Sequence, residues 1–219
     1  MVILAIETAT PACSVALSTE NKVTQRHQVL PRQHSNLVLT YVDELLTESG
    51  CSLSSVDMIA CGVGPGSFMG VRLAVSVVQG LAFARTIPVV PLSTLHIVAQ
   101  TAYLNYGLDR VTVIWDARMN EVYVGDYQCN AAGVMQPSQP DRLLKPAECQ
   151  SNKDGICVVG NGMQAYPEAF TEHFVQRVAR SELCYPEAKA MVPLAMHLQQ
   201  HKEGISARDL QPVYLRSPV

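Results

Sequence analysis

Val111-Thr112-Val113-Ile114-Trp115, Asp116-Ala117-Arg118-Met119-Asn120 and Glu121-Val122-Tyr123-Val124-Gly125-Asp126-Tyr127 read as a strand, a turn and a returning strand. The same pattern opens the chain. Val2 to Ile6 is an apolar strand, Thr8-Ala9-Thr10-Pro11-Ala12 a turn, and Cys13 to Ser18 the returning strand. In each copy the first strand ends in an acid, Glu7 in one and Asp116 in the other, and the copies lie about 110 residues apart. The repeat predicts two α/β domains, 1–107 and 108–219. The second is expected to be reduced, because 136–148 is rich in Pro and polar residues and little regular pattern follows until the strand Ile156 to Val159.

Around the first hairpin the spacing predicts a third strand over Val23 to Val29. A helix over His34 to Ser49 should carry Leu37, Val38, Tyr41, Val42, Leu45 and Leu46 on one face and stop at Gly50. Val56 to Cys61, the glycine-rich 62–70, a helix over Met69 to Ala84 and a strand over Ile87 to Val90 make a βαβ-like unit. A further helix spans Leu92 to Tyr106, with Ser93 as N-cap and Gly107 past its end. The last helix, Val192 to His201, is expected to pack back on the first domain.

Composition narrows the function. With 48% apolar and 16% charged residues the chain is an ordered globular protein with more apolar surface than a lone monomer needs. Sixteen scattered Lys and Arg and a net charge of −3 argue against this chain alone gripping a nucleic-acid backbone. Seven cysteines without a CxxC pair read as reduced, buried thiols. No basic, apolar leader precedes the first strand, and no apolar run approaches the roughly 20 residues that span a bilayer, so a cytoplasmic protein without membrane contact is expected.

Several motifs compete with plainer readings. Gly62-Val63-Gly64-Pro65-Gly66 resembles a phosphate cradle, but no Lys follows, the spacing misses GxGxxG and Pro65 lacks a donor, so a tight structural turn is preferred. Glu7, Thr8, Gly64, Gly66 and Ser67 are the candidate remnant of a nucleotide loop. Glu7 and Asp116 are each followed by a residue other than Gly, which keeps backbone away from phosphates and argues against independent ATP hydrolysis. His197 and His201 share a helix face but lack HExxH and a third ligand; no metal and no cofactor are expected. GxSxG is absent, so no catalytic residue is assigned.

The helix from Met69 carries polar side chains chiefly at Arg72, Ser76 and Gln79, a narrow stripe. A helix covered on one side should expose more. Val71, Arg72, Val75 and Val78, with His34, Leu37, Val38, Tyr41 and Leu45 on the neighbouring helix, are therefore candidates for a partner surface, where a charge at Val75 or Tyr41 should break association before folding. Periodicity equally allows a central helix buried within this chain.

Ile3-Leu4-Ala5-Ile6-Glu7-Thr8-Ala9 with Cys13-Ser14-Val15-Ala16-Leu17, Gly64-Pro65-Gly66-Ser67-Phe68-Met69-Gly70-Val71-Arg72, Asp116-Ala117-Arg118-Met119-Asn120-Glu121-Val122-Tyr123 and Pro212-Val213-Tyr214-Leu215-Arg216 resemble the signature blocks of the TsaB (YeaZ) family along essentially the whole chain. Glu7 stands where Asp is commoner, and Met69 where the family has Thr.

The resemblance implies an ASKHA (actin, sugar kinase, Hsp70) fold of two RNase H-like domains. It implies a non-catalytic role in installing N6-threonylcarbamoyladenosine beside the anticodon of tRNAs reading codons that begin with adenine. The partners would be the catalytic sister TsaD, whose metal sits on an HxxxH pair that His197/His201 does not match in place, and the ATPase TsaE. Pairing with TsaD would use the first two helices, with a homodimer when alone and tRNA met only through the complex. Competing readings are an autonomous ATPase or kinase of the same fold and a peptidase acting on TsaD.

Overall fold

The computed structural model describes residues 1–20, 22–150, 154–201 and 204–216. It divides into two compact units, Met1–Ile97 with Pro186–Val213, and Val98–Tyr185 with the residues from Tyr214 onward. The boundary expected at 107/108 thus falls inside a helix instead, and 28 residues near the C-terminus return to the first unit.

In the first unit β1 (Ile3–Glu7), β2 (Ala12–Ser18), β3 (Val23–Val29), β4 (Met58–Gly62) and β5 (Val89–Leu92) form one sheet in the order β3-β2-β1-β4-β5. The hairpin strands pair antiparallel, from Ile3 opposite Ser18 to Glu7 opposite Ser14, while β4 runs parallel to β1 and β5 parallel to β4. Every residue of β1, β2 and β4 is buried, which is why these strands read as continuous apolar runs.

Between the strands lie α1 (His34–Glu48) and α2 (Phe68–Arg85), packed on β2 and β4 respectively and on each other. Ser67 caps α2, its hydroxyl accepting from the Gly70 N–H, and the helix ends at Thr86 in the left-handed region. By length and composition α2 could cross a bilayer, contrary to the expectation that no run would qualify. Its Val71, Ala74, Val75, Val78 and Ala82 are packed in the core with Ile59, Cys61 and Leu4, as in a core helix of a globular unit.

α3 (Thr94–Tyr106) leads into the second unit, with the Ser93 hydroxyl accepting from the N–H groups of Leu95 and His96. There β6 (Arg110–Arg118), β7 (Glu121–Cys129), β8 (Met135–Pro137), β9 (Arg142–Leu144), β10 (Ile156–Val159) and β11 (Val178–Glu182) form a sheet whose main path is β8-β7-β6-β10-β11. Directions repeat those of the first sheet: β6, β7 and β8 pair antiparallel, β10 and β11 parallel. The duplication read from the two hairpins is a duplication of topology.

Among the described residues the second copy has no long helix beyond α3. Between β8 and β10 stand the short β9, paired with β7, and a turn at Pro146–Glu148, and α4 (Gly162–Ala165) and α5 (Glu172–Val175) have four residues each. Segment 136–148 is more regular than its sequence suggests.

The chain then closes the first unit. Ala188 N–H donates to Ser14 Oγ at 2.8 Å, and α6 (Met191–His201) packs on β5. Ile205 pairs antiparallel with Val89 through bonds of 2.8 and 2.9 Å, and Val213 N–H donates to Val63 O at 2.8 Å.

The two helices do not present the faces expected of them. Val38, Tyr41 and Leu45 of α1 and Val71, Val75 and Val78 of α2 are at most 7% exposed and belong to one core cluster with Ile6 and Val15. These six are therefore corrected from partner-facing to core. Tyr41 also donates its hydroxyl to Gln28 Oε1 at 2.6 Å. Val75→Glu or Tyr41→Glu is accordingly expected to lower Tm steeply or abolish cooperative melting, because a buried unpaired carboxylate costs several kcal/mol. Thermal melts of the isolated chain check this, and a native-like melt of either variant would contradict the burial.

Candidate functional site

Two features stand out in the first unit: the junction between the end of β1 and the start of α2, and the outer face of α2. At the junction the candidate loop residues Glu7, Thr8, Gly64, Gly66 and Ser67 do come together, but their polar groups are bonded to neighbouring residues of the same chain. Ser67 N–H donates to Ala9 O at 2.7 Å, Thr8 Oγ1 to Gly70 O at 2.7 Å, and Thr94 N–H to Gly64 O at 2.8 Å. A Cβ on Gly66 would lie 2.4 Å from Ala9 O, and one on Gly70 2.1 Å from Thr8 O. These glycines let the chain's own turn approach, which is the structural-turn reading of the sequence.

Glu7 sits beneath this closure with no exposed surface. Its carboxyl accepts from Ala9 N–H at 2.5 Å and from Thr94 Oγ1 at 3.1 Å. Burial pushes its pKa from 4.5 up to about 7, although the bonds from Ala9, Thr94 and Thr8 favour the charged form. Gly62 is needed here as well, since a Cβ would fall 1.9 Å from Glu7 Oε2.

Asp116, the matching acid of the second unit, is held differently. Its Oδ1 accepts from Arg118 N–H and the Tyr166 hydroxyl, each at 2.7 Å, and its Oδ2 is 3.1 Å from the Arg118 guanidinium. The turn beyond it places Arg118, Met119 and Asn120 at φ of 63°, 57° and 59°, a left-handed run that costs energy in residues other than Gly. Arg216 fastens the turn by donating to the carbonyls of Ala117 and Arg118 at 3.1 Å and to the Glu121 carboxylate.

Outside the core stripe, α2 exposes large apolar side chains beside Arg72, Ser76 and Arg85. Phe68, Met69 and Phe83 are 53, 73 and 66% exposed, and Leu39 on α1 is 53% exposed. Arg72 and Ser76 face outward as the sequence implied, and the Arg72 guanidinium lies 3.7 Å from the centre of the Phe68 ring. Gln79 does not face solvent alone: its amide donates to Leu210 O at 2.9 Å.

His34 and Leu37 are half-buried, with His34 Nε2 donating to Thr10 O at 2.9 Å. Sequence reasoning missed Phe68, Met69 and Phe83; Met69 and Phe83 fall off the Val71-Val75-Val78 row, whereas Phe68, three residues before Val71 at the helix start, gave no such signal. Among the described residues no three His, Cys, Asp or Glu side chains converge as metal ligands, and the His201 side chain lies outside those residues.

The state of Glu7 has a measurable consequence. Below pH 4.5 the carboxyl is protonated folded or unfolded, so burial carries no penalty. Between 4.5 and about 7 only the unfolded chain ionises, and stability falls by on the order of 3 kcal/mol before levelling off. Glu7→Gln should melt like the native chain near pH 5 and higher than it near pH 8. Melts at both pH values check this; a variant less stable at both would show that the carboxylate supports the fold.

The whole chain has close relatives. It matches the family model described as "TsaD: tRNA N6-adenosine threonylcarbamoyltransferase" over residues 15–218. It is 38% identical to the Escherichia coli protein named tRNA threonylcarbamoyladenosine biosynthesis protein TsaB, over 100% of this chain and 96% of that one. A Haemophilus influenzae protein of the same name is 35% identical, over 100% and 95%. The solved structure of YeaZ from Pseudomonas aeruginosa is 40% identical and superposes with a TM-score of 0.91, over 98% of this chain and 99% of that one. A second Pseudomonas aeruginosa structure, described as similar to peptidase YEAZ, matches equally well. The two units accordingly have the RNase H-like fold of the ASKHA superfamily. Similar from end to end in sequence and in fold to proteins so named, the chain belongs to the TsaB (YeaZ) family of tRNA threonylcarbamoyladenosine biosynthesis proteins.

Proposed function

We propose that this chain is the non-catalytic partner subunit in transfer of the threonylcarbamoyl group to N6 of the adenosine beside the anticodon, in tRNAs reading codons that begin with adenine. It acts in the cytoplasm with the catalytic sister TsaD and the ATPase TsaE, and self-pairs when alone. The observation that carries this reading is the outer face of α2, where Phe68, Met69 and Phe83 stand exposed on a single helix, more apolar surface than a solvated helix presents. The closed junction above Glu7 supports the non-catalytic part, because groups that would meet a nucleotide are already bonded to Ala9, Gly70 and Thr94.

The partner face is thus the outward side of the two helices: Phe68, Met69, Arg72 and Phe83, with Leu39 and Leu37 on α1. Phe68→Glu and Met69→Glu are expected to leave melting nearly unchanged, as exposed substitutions do, and to weaken association with TsaD at least a hundredfold. Titration calorimetry alongside melts checks this; native affinity in both variants would remove this face from the interface.

Reconstitution tests the function itself. Purified TsaD, TsaE, tRNA and a threonylcarbamoyl donor should form modified tRNA only when this chain is added, while the chain alone turns over no ATP and cleaves no peptide of TsaD. ATP turnover by the chain alone would favour the kinase-like reading, and cleavage the peptidase reading. Alone, the chain should bind tRNA more weakly than about 1 μM at physiological salt, given its net charge of −3. A tighter, salt-sensitive affinity measured by filter binding would contradict delivery of tRNA through the partners.

A further inference from the structure

Most sheet edges among the described strands are guarded, and β3 is not. β5 is closed by Ile205, β8 and β9 have three residues each with Pro137 ending β8, and β11 carries Arg180 and Glu182. Short length, proline and charge are the ordinary ways in which an edge is kept from pairing with another chain. β3 has none of them. Its seven residues pair with β2 in unbroken register, without proline or lysine, and its one cation, Arg26, is turned onto α1 by bonds to Glu44 and Glu48.

The turn before β3 fixes which backbone groups face away from the sheet. Thr19 N–H donates to Lys22 O at 2.9 Å, and bonded and non-bonded pairs alternate along an antiparallel ladder. Counted from that pair, Thr24, Arg26 and Gln28 bond to β2, while Val23, Gln25, His27 and Val29 aim their N–H and C=O groups outward. Among the described residues no backbone group meets them there. The row ends in exposed apolar side chains, Val23 at 45% and Val29 at 42%. Its middle is neutral: the Gln25 amide donates to Glu187 and accepts from Lys189 N–H, and burial holds the His27 imidazole below its ordinary pKa.

We infer that β3 is a self-association surface, along which β3 of a second copy pairs antiparallel about a two-fold axis at Arg26, joining two five-stranded sheets into one. In that register Val23 stands opposite Val29 and Gln25 opposite His27, so every outward residue of the strand gains a bonded partner and each exposed valine covers another. The strand suits a copy of itself because its apolar ends are equidistant from Arg26. A helix could not use the row, since its own backbone groups are bonded internally. Three strand spacings, roughly 14 Å, would separate the β2 strands of the two copies, enough for their α1 helices, about 10–12 Å across, to lie side by side. Arg26 meets its own image on the axis, where Glu44 and Glu48 of each copy more than balance the two cations. The pairing does not use the outer face of α2, so it goes beyond the partner face proposed above and stands independently of it.

The test uses the full-length Phe68→Glu chain, in which the α2 face contributes nothing, and reads self-association by sedimentation. That chain should dimerise as its concentration rises. Adding Val23→Lys with Val29→Lys, or Val23→Glu with Val29→Glu, should weaken dimerisation at least about tenfold, because like charges then stand opposite each other twice. Both should melt like their parent, as exposed substitutions do. An equal mixture of the lysine and glutamate chains should recover the dimer, with Lys opposite Glu. A monomeric Phe68→Glu chain would overturn the inference and leave the partner face standing. Undiminished dimerisation of both charge variants would overturn it as well, and so would a mixture no stronger than its components. A Tm lowered in both variants would assign the valines to the chain's own fold and reject the surface. Loss of TsaD binding when Val23→Lys and Val29→Lys are placed in the otherwise native chain would make the occupant the catalytic sister and reject a second copy.

Discussion

At the end of β1 the backbone of Thr8 and Ala9 meets the start of α2 at Gly66 and Gly70, where no Cβ stands in the way. Two glycines make the approach, and two hydrogen bonds hold it, Ser67 N–H to Ala9 O and Thr8 Oγ1 to Gly70 O. This contact sets where α2 begins and how it is rotated about its axis. With the rotation fixed, Val71, Val75 and Val78 must enter the core, and Phe68, Met69 and Arg72 must stay outside. The same contact shuts water away from Glu7, so the elevated pKa of that carboxyl and the apolar outer face of α2 have a common origin.

The second unit repeats the order and directions of five strands but ends its first strand on other chemistry. Where Glu7 is hidden and its pKa raised by burial, Asp116 faces the Arg118 cation and the Tyr166 hydroxyl. The turn that follows is held by Arg216 and not by glycines, and it accepts left-handed backbone at three residues with side chains. One topology thus carries a sealed strand end in one copy and an ion-paired one in the other. That agrees with function residing in sites grafted on a fold and not in the fold itself.

Much of the architecture was legible in the sequence. Both hairpins, α1, α2 and α3 lie within two or three residues of where apolar spacing and turn residues put them, because those signals are local. The faces of α2 were not legible. Its apolar residues surround most of the helix, and what selects the inward row is a contact with Thr8 and Ala9 some sixty residues away. β11, Val178–Glu182, escaped notice because Arg180, Ser181 and Glu182 carry no apolar alternation, and β8 and β9 are only three residues each. The unit boundary at Ile97/Val98 lies within a continuous helix and has no glycine or proline to mark it.

The return of 186–213 to the first unit has a consequence for how the protein is made. The ribosome delivers β1 to β5 early, yet the residues that pair with Val89 and Ser14 arrive only after the 88 residues of 98–185. At synthesis rates of about 5–20 residues per second, that interval is roughly 4–18 s. Throughout it the nascent first unit carries β5 as a bare edge and lacks the cover of α6, the kind of surface that recruits other chains. The first unit to be translated is therefore among the last to be finished, and a stalled or truncated product would expose an unpaired sheet edge to its neighbours on the polysome.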